Sequence, residues 1–314
     1  MKSIFISGLS SIIALLIIPL WTVAAKKVDA KSVSADIKIS DSQPKAKFYD
    51  KFKLLIDDTG EIKEIDATEY IIGVVAAEMP ALYDEEALKA QAVAAYTFAC
   101  YRRDTSNNNY DLTTNFSTDQ AYCSIQQMKE KWGENYEAYY SKIKNVVSAV
   151  EGQLVCHNGK TALTVYHAIS PGKTNPSSDV WGKEIPYLTS VDSIGDKLNK
   201  DYVSTATFSN AEINEKLSAS GTDFSDIVQT QTKYVRSVSF GGATFTGSEL
   251  QKALNLRSAA FDIAKSGDNF TFTVFGYGHG VGMSQSGADY MAKQGSSYKE
   301  ILYWYYPGCK IVEN

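Results

Sequence analysis

The longest uninterrupted apolar stretch lies at the start of the chain. From Ser3 to Ala25 there is no charged residue, and SIFISGLSSIIALLIIPLWTVAA would span roughly 35 Å as a helix at 1.5 Å per residue, enough to cross a bilayer. Its length favours a retained transmembrane anchor over a cleaved signal, although Val23-Ala24-Ala25 would serve as a cleavage site. Residues 26–45, KKVDAKSVSADIKISDSQPK, are polar and lack apolar periodicity, so they read as a tether. Alternation then begins. Phe52, Leu54 and Ile56 predict a strand, Asp57-Asp58-Thr59-Gly60 a turn, and Ile62 and Ile65 a second strand. The period next changes to helical: Ile71, Ile72, Val75 and Met79 share a side, Thr68 is placed as N-cap, and Pro80 lies beyond the end.

Asp84 predicts the cap of a second helix, with Glu85 and Glu86 in its first turn and a run of alanines behind them. Arg102 and Arg103 in its last turn suit the helix dipole. Residues 104–118 read as loop and Met128 to Val150 as a third helical stretch. From Gly152 the pattern is strand-like around the turn His157-Asn158-Gly159. Residues 191–270 mix short strands with helices at about Asn210–Leu217 and Ser248–Leu254, and form a candidate second lobe. The C-terminal part returns to helix, first over Ser284 to Gln294 with Gly295 as the stop, then after a capping box of Ser297 with Glu300. The sum is an α+β fold of mixed helices and short strands. Its organisation is an anchor at 1–25, a linker at 26–45 and a body at 46–314.

The chain has 314 residues, 44% of them hydrophobic, so it can bury a sizeable core. Its net charge of −5 and the lack of a long Lys/Arg run exclude nucleic acid as an expected partner. Four cysteines, Cys100, Cys123, Cys156 and Cys309, are too scattered for a disulfide framework. Cys123 with Cys156 is the pair to test first, since both lie in polar stretches. The histidines fit no standard zinc spacing, the nearest approach being Cys156-His157 with Cys123, and no metal or cofactor is expected.

Glu78 stands out on physical grounds. It falls in the last turn of a short apolar helix, where the partial negative charge of the helix end and the apolar neighbours both disfavour a carboxylate. Such a group is easier to keep protonated, as a general acid for a glycosidic oxygen must be. An exposed helix-terminal glutamate is the plainer alternative. A second cluster, YHAISPGKT (Tyr166 to Thr174) followed by DVWG (Asp179 to Gly182), brings small polar groups to a loop. Trp181 there reads equally as a core aromatic or as an indole that stacks on a sugar. A third, GYGHGVGMSQSGA (Gly276 to Ala288), matches neither a dinucleotide fingerprint nor a phosphate loop, and reads as a tight loop entering a helix.

Together with AAEMPALYDEEALKAQAVAAYT (Ala76 to Thr97), these segments strongly resemble the stage II sporulation protein D family, over about Ile65 to Gly308. The resemblance implies a peptidoglycan lytic transglycosylase of spore engulfment, with Glu78 catalytic. It also implies a glycan groove in a two-lobed body, and a single-pass anchor that leaves this body on the extracytoplasmic side of the cell membrane. Glycan strands, a cell-wall amidase and membrane-anchored engulfment proteins are the partners it implies. His167, Ser170, Thr174, Trp181, His279 and Gln285 are the candidates for holding the sugar. Pro171 and Asn175 depart from the family, which usually has Gly and Glu there. A related branch enhances an amidase, so the alternative is a glycan-binding activator without chemistry.

Overall fold

Residues 45–314 are described by the computed structural model, and their first element is an antiparallel hairpin of β1 (Lys51–Ile56) and β2 (Glu61–Asp66). The turn that joins them ends at Gly60, whose φ of 70° is the left-handed conformation glycine adopts at no steric cost. Helix α1 (Ala67–Glu78) follows at once. Its N-cap is Asp66 and not the expected Thr68: the Asp66 carboxylate accepts from the N–H groups of Thr68 and Glu69, and an aspartate two residues earlier does this better than a hydroxyl already inside the helix. Asp84 caps α2 (Glu85–Thr105) as expected. Strand β3 (Leu112–Thr113) adds to β1 in parallel.

The single helical stretch expected over Met128 to Val150 is two helices, α3 (Ile125–Trp132) and α4 (Tyr136–Ser148). Gly133, at φ 50°, breaks them apart. Strands β4 (Gln153–His157), β5 (Lys160–Thr161) and β6 (Tyr166–His167) come next, then the short helix α5 (Ser177–Trp181). The following stretch holds β7 (Val203–Ser209), α6 (Asn210–Leu217), β8 (Phe224–Gln229), β9 (Val235–Phe240), β10 (Ala243–Phe245) and α7 (Gly247–Ala253). The chain continues through β11 (Phe261–Ser266), β12 (Asn269–Phe275), β13 (Met283–Ser284), α8 (Gln285–Lys293), α9 (Tyr298–Tyr305) and β14 (Lys310–Glu313). This is an α+β fold.

Two hydrophobic cores organise these elements. The larger is built on α1 and α2. Helix α1 is buried on nearly every side, through Tyr70, Ile71, Ile72, Val74, Val75 and Ala76, which is why its sequence is apolar all round. The alanines of α2 let α1, α4, α8 and α9 approach it closely, with the sheet β5-β4-β14 against it. The smaller core lies between the antiparallel sheets β11-β12-β7 and β10-β9-β8, where Phe224, Phe240, Phe261, Phe270 and Phe272 interlock edge to face.

All four cysteines are free thiols. Cys123 is held against α1 by its N–H on the Gly73 carbonyl, while Cys156 lies on β4 within electrostatic reach of Cys309, so the two stand on separate elements. Among the described residues no group of three or more His, Cys, Asp or Glu side chains is placed to hold a metal ion, and no helix is long and apolar enough to cross a membrane. The anchor expected at 1–25 and the linker up to residue 44 lie outside the described residues.

Gly73 is where α1 receives the segment that follows β3. A Cβ there would overlap the Tyr122 ring and come within 2.9 Å of the Cys123 carbonyl oxygen. Gly73→Ala is therefore expected to lower stability by about 1–3 kcal/mol despite alanine's better helix propensity, as read from urea unfolding. An unchanged or higher midpoint would show that Tyr122 yields without strain.

Candidate active site

Helix α1 ends at Glu78 because Pro80 follows. Met79 precedes the proline and is extended, at φ −122° and ψ 145°, since the proline ring disfavours the helical region for the residue before it. The Glu78 side chain thus leaves the last helical position. Its Oε1 accepts the backbone N–H of Ala121 at 2.8 Å, and its Oε2 accepts from Nε2 of Gln285 at 3.3 Å. The ammonium of Lys131 sits on the exposed carbonyls of the same helix end, at 2.9 Å from Ala76 O and 3.4 Å from Ala77 O. It offsets the negative end of the dipole.

Glu78 keeps part of its surface open, yet the protein packed around its carboxyl group dominates its proton affinity. Burial raises its pKa above the ordinary glutamate value, against the lowering influence of the Ala121 N–H, the Gln285 amide and the Lys131 charge. Tyr166 also faces it: burial pushes that phenol up, and the Glu78 charge adds to the effect. Both oxygens accept from N–H donors, the Ala121 backbone on Oε1 and the Gln285 amide on Oε2, and both contacts favour the ionised form.

The segment that supplies the Ala121 N–H is pinned on both sides. Arg102 Nε meets the buried Asp119 carboxylate at 2.7 Å, so this arginine anchors the site beyond its part in the α2 dipole. Asp119 also accepts the Thr113 N–H. Gln120 donates to the Tyr70 hydroxyl and the Ala95 carbonyl and accepts from the Tyr166 hydroxyl at 2.7 Å, while Tyr122 stacks on Tyr70 at 5.7 Å. Sequence reasoning passed over this segment. The group that matters is a main-chain N–H, which leaves no side-chain signature.

Gln285 is delivered by the glycine loop. β13 pairs in parallel with β6, matching Met283 to Tyr166 and Ser284 to His167. The loop before it alternates, with Gly276, Gly278, Gly280 and Gly282 all at positive φ. A Cβ at Gly282 would collide with the Val165 carbonyl, and one at Gly278 would lie 2.9 Å from Cβ of His167, so the close approach of the loop to β6 needs glycine. Ser284 then caps α8 by accepting the Gly287 N–H, and Gln285 begins the helix.

The remaining expected residues do not touch Glu78. His167 directs Nδ1 at the Val281 carbonyl, 3.1 Å away, and its buried Nε2 has no partner among the described residues. His279 accepts the Val281 N–H on Nδ1 at 3.0 Å and bonds through its ring to the Tyr166 backbone. Burial pushes His167 down to about 3, helped by His279, and His279 down to about 4, so both rings are neutral near pH 7. Trp181, at the end of α5, tilts against His279 at 5.5 Å. The hydroxyls of Ser170 and Thr174 are fully buried and committed to the scaffold: Ser170 to Asp196, Thr174 to the Thr189 carbonyl and the Val191 N–H. A cavity of about 410 Å³ opens elsewhere, between Tyr49, Ile71, Tyr96 and Val147 near the start of α1, and does not include Glu78.

Residues 56–157, which hold Glu78, Ala121 and Lys131, match the family model described as stage II sporulation protein. The chain is 38% identical to stage II sporulation protein D of Bacillus subtilis (strain 168), over 80% of this chain and 76% of that protein. It shares 38% identity, over the same shares, with the stage II sporulation protein D of Bacillus amyloliquefaciens. It is also 27% identical to the amidase enhancer of Bacillus subtilis (strain 168), over 76% of this chain and 40% of that protein.

The raised pKa of Glu78 has a definite sign in stability. Between the unfolded and the folded pKa the native state binds the extra proton, so this group's contribution falls as pH rises through that window. Glutamine cannot ionise. Urea unfolding of Glu78→Gln against the parent, from pH 4 to pH 8, is expected to show the variant gaining in relative stability as pH rises. A difference that stays flat would mean that the carboxyl is not held protonated by burial.

Proposed function

The chain belongs to the stage II sporulation protein D family, and from that premise we propose that it is a lytic transglycosylase that cuts the MurNAc–GlcNAc bond of peptidoglycan strands during engulfment. The observation that carries this reading is the carboxyl group of Glu78, desolvated yet held by the Ala121 N–H and the Gln285 amide. The contacts of this carboxyl are the Ala121 N–H and the Gln285 amide, and the charge that lowers its pKa is Lys131. Hydrolytic glycosidases ordinarily work with two carboxylates, about 5–10 Å apart. A transglycosylase can work with one, because the substrate supplies its own nucleophile.

Glu78 in its protonated form gives its proton to the glycosidic oxygen, and the bond from that oxygen to C1 of the muramic sugar breaks. The C6 hydroxyl of the same sugar then attacks C1, closing a 1,6-anhydro ring, and its proton returns to Glu78. No water enters and the carboxyl group ends as it began. The Ala121 N–H and the Gln285 amide hold the carboxylate in place between the two transfers. Gln285 stands nearest to the reacting groups, and Trp181 with His279 offers an aromatic face for a neighbouring sugar. Ser170, Thr174 and His167 act by shaping the loop behind them. In this reading the chain is tethered through residues 1–25, its body lies in a groove-forming, two-lobed arrangement on the extracytoplasmic side, and an amidase and other engulfment proteins work beside it.

The likeness to an amidase enhancer supports a second reading, in which the body binds glycan and stimulates an amidase without cutting. Glu78→Gln separates the two. As a transglycosylase the variant is expected to fold, bind glycan and lose at least about 10²-fold in the release of 1,6-anhydro ends, measured by mass spectrometry of muropeptides. As an activator, parent and variant alike would release none and stimulate an amidase equally.

A further inference from the structure

Asp196 is a wholly buried acid in the 3-10 turn Ile194–Leu198, outside the motifs that carry the proposed chemistry. Its Oδ2 accepts the Ser170 N–H at 2.9 Å and the Ser170 hydroxyl, and its Oδ1 accepts the Ser284 hydroxyl at 2.7 Å. The Ser193 hydroxyl adds a donor and is itself bonded to the Tyr305 hydroxyl at 2.6 Å. Burial pushes the Asp196 carboxyl up and these donors push it back. The geometry points to an acceptor on both oxygens. A backbone N–H can only donate, and Ser284 Oγ already accepts the Gly287 N–H at 3.1 Å, which leaves its proton for Asp196.

Burying an acid that meets hydroxyls and an amide is costly, and what this acid fixes is the residue immediately before Gln285. Ser284 is at once the last residue of β13, the N-cap of α8 and a ligand of Asp196. Rotation or withdrawal of Ser284 would carry the first residue of α8 with it. The Gln285 amide reaches Glu78 at only 3.3 Å, so a small displacement ends the contact. We propose that Asp196 is a positioning residue that acts through Ser284 to keep the Gln285 amide on Glu78. The proposal rests on the reading of Glu78 as the proton-handling group.

The test follows the Glu78 carboxyl by carbon-13 NMR titration of the full chain without glycan, so its outcome does not depend on whether Glu78 cleaves anything. The Gln285 amide favours the ionised form, and removing it raises the midpoint. Gln285→Leu is expected to raise it by roughly half to one pH unit. Asp196→Asn keeps the side chain's volume but turns an NH2 towards a partner that needs an acceptor, and is expected to give a rise of similar size. The double substitution is expected to add nothing further, since both act on one contact. A merely structural role would lower the melting temperature and leave the Glu78 midpoint alone. If Asp196→Asn does not fold, Ser284→Ala severs the same route with the carboxylate in place and is expected to produce the same rise. An unmoved midpoint in the folded Asp196 or Ser284 variant, or shifts that add in the double substitution, would overturn the proposal.

Discussion

The carboxyl group of Glu78 is held by stretches of chain that are far apart in sequence, and much of the architecture exists to bring them together. Ala121 is 43 residues away and Gln285 is 207 away, yet each donates to one oxygen of the same group. A carboxyl in such a place is caught between opposing influences. Burial favours its neutral form, while two donors and the Lys131 ammonium favour its charged form. A proton that is neither firmly bound nor freely lost is what acid–base work on a sugar bond requires.

The precision of that balance comes from elements that carry no charge to the site. The Arg102–Asp119 pair and the Gln120 bonds to Tyr70 and Ala95 fix the segment that presents the Ala121 N–H. On the other side, four alternating glycines let the loop before β13 lie against β6, and α8 starts at the point where Gln285 can reach across. Neutral His167 and His279 bracket Val281 within this loop, one on its carbonyl and one on its N–H. Both rings thereby tie the loop in place. The smaller phenylalanine-rich core stands apart from this arrangement and supplies no group to Glu78.

What could be read from the sequence was mostly local. Asp84 as a cap, the Ser297–Glu300 box and the stop at Gly295 follow from short-range hydrogen bonding and from backbone freedom, and the structure has them. The position of Glu78 at a helix end next to apolar residues was also legible, because α1 and Pro80 are adjacent. Thr68 was mistaken for the cap because two oxygen-bearing residues compete there, and only the geometry shows that Asp66 reaches both N–H groups. The break at Gly133 was hidden within an otherwise helical pattern. Ser170 and Thr174 resembled polar ligands in a loop, but their burial depends on Asp196, Thr189 and Val191, which contact them only in the folded chain. Asp196 and Ala121 had no pattern to betray them, since one is an ordinary acid in a mixed stretch and the other acts through its backbone.

The central claim is that one carboxyl group suffices because the attacking oxygen belongs to the sugar. Digestion of purified glycan strands in oxygen-18 water, with mass spectrometry of the new ends, tests this most directly. The ends are expected to be 1,6-anhydro sugars free of the heavy isotope, since the oxygen that closes the ring comes from C6. Reducing ends carrying one oxygen-18 would contradict it, because they require an activated water and a second group to activate it.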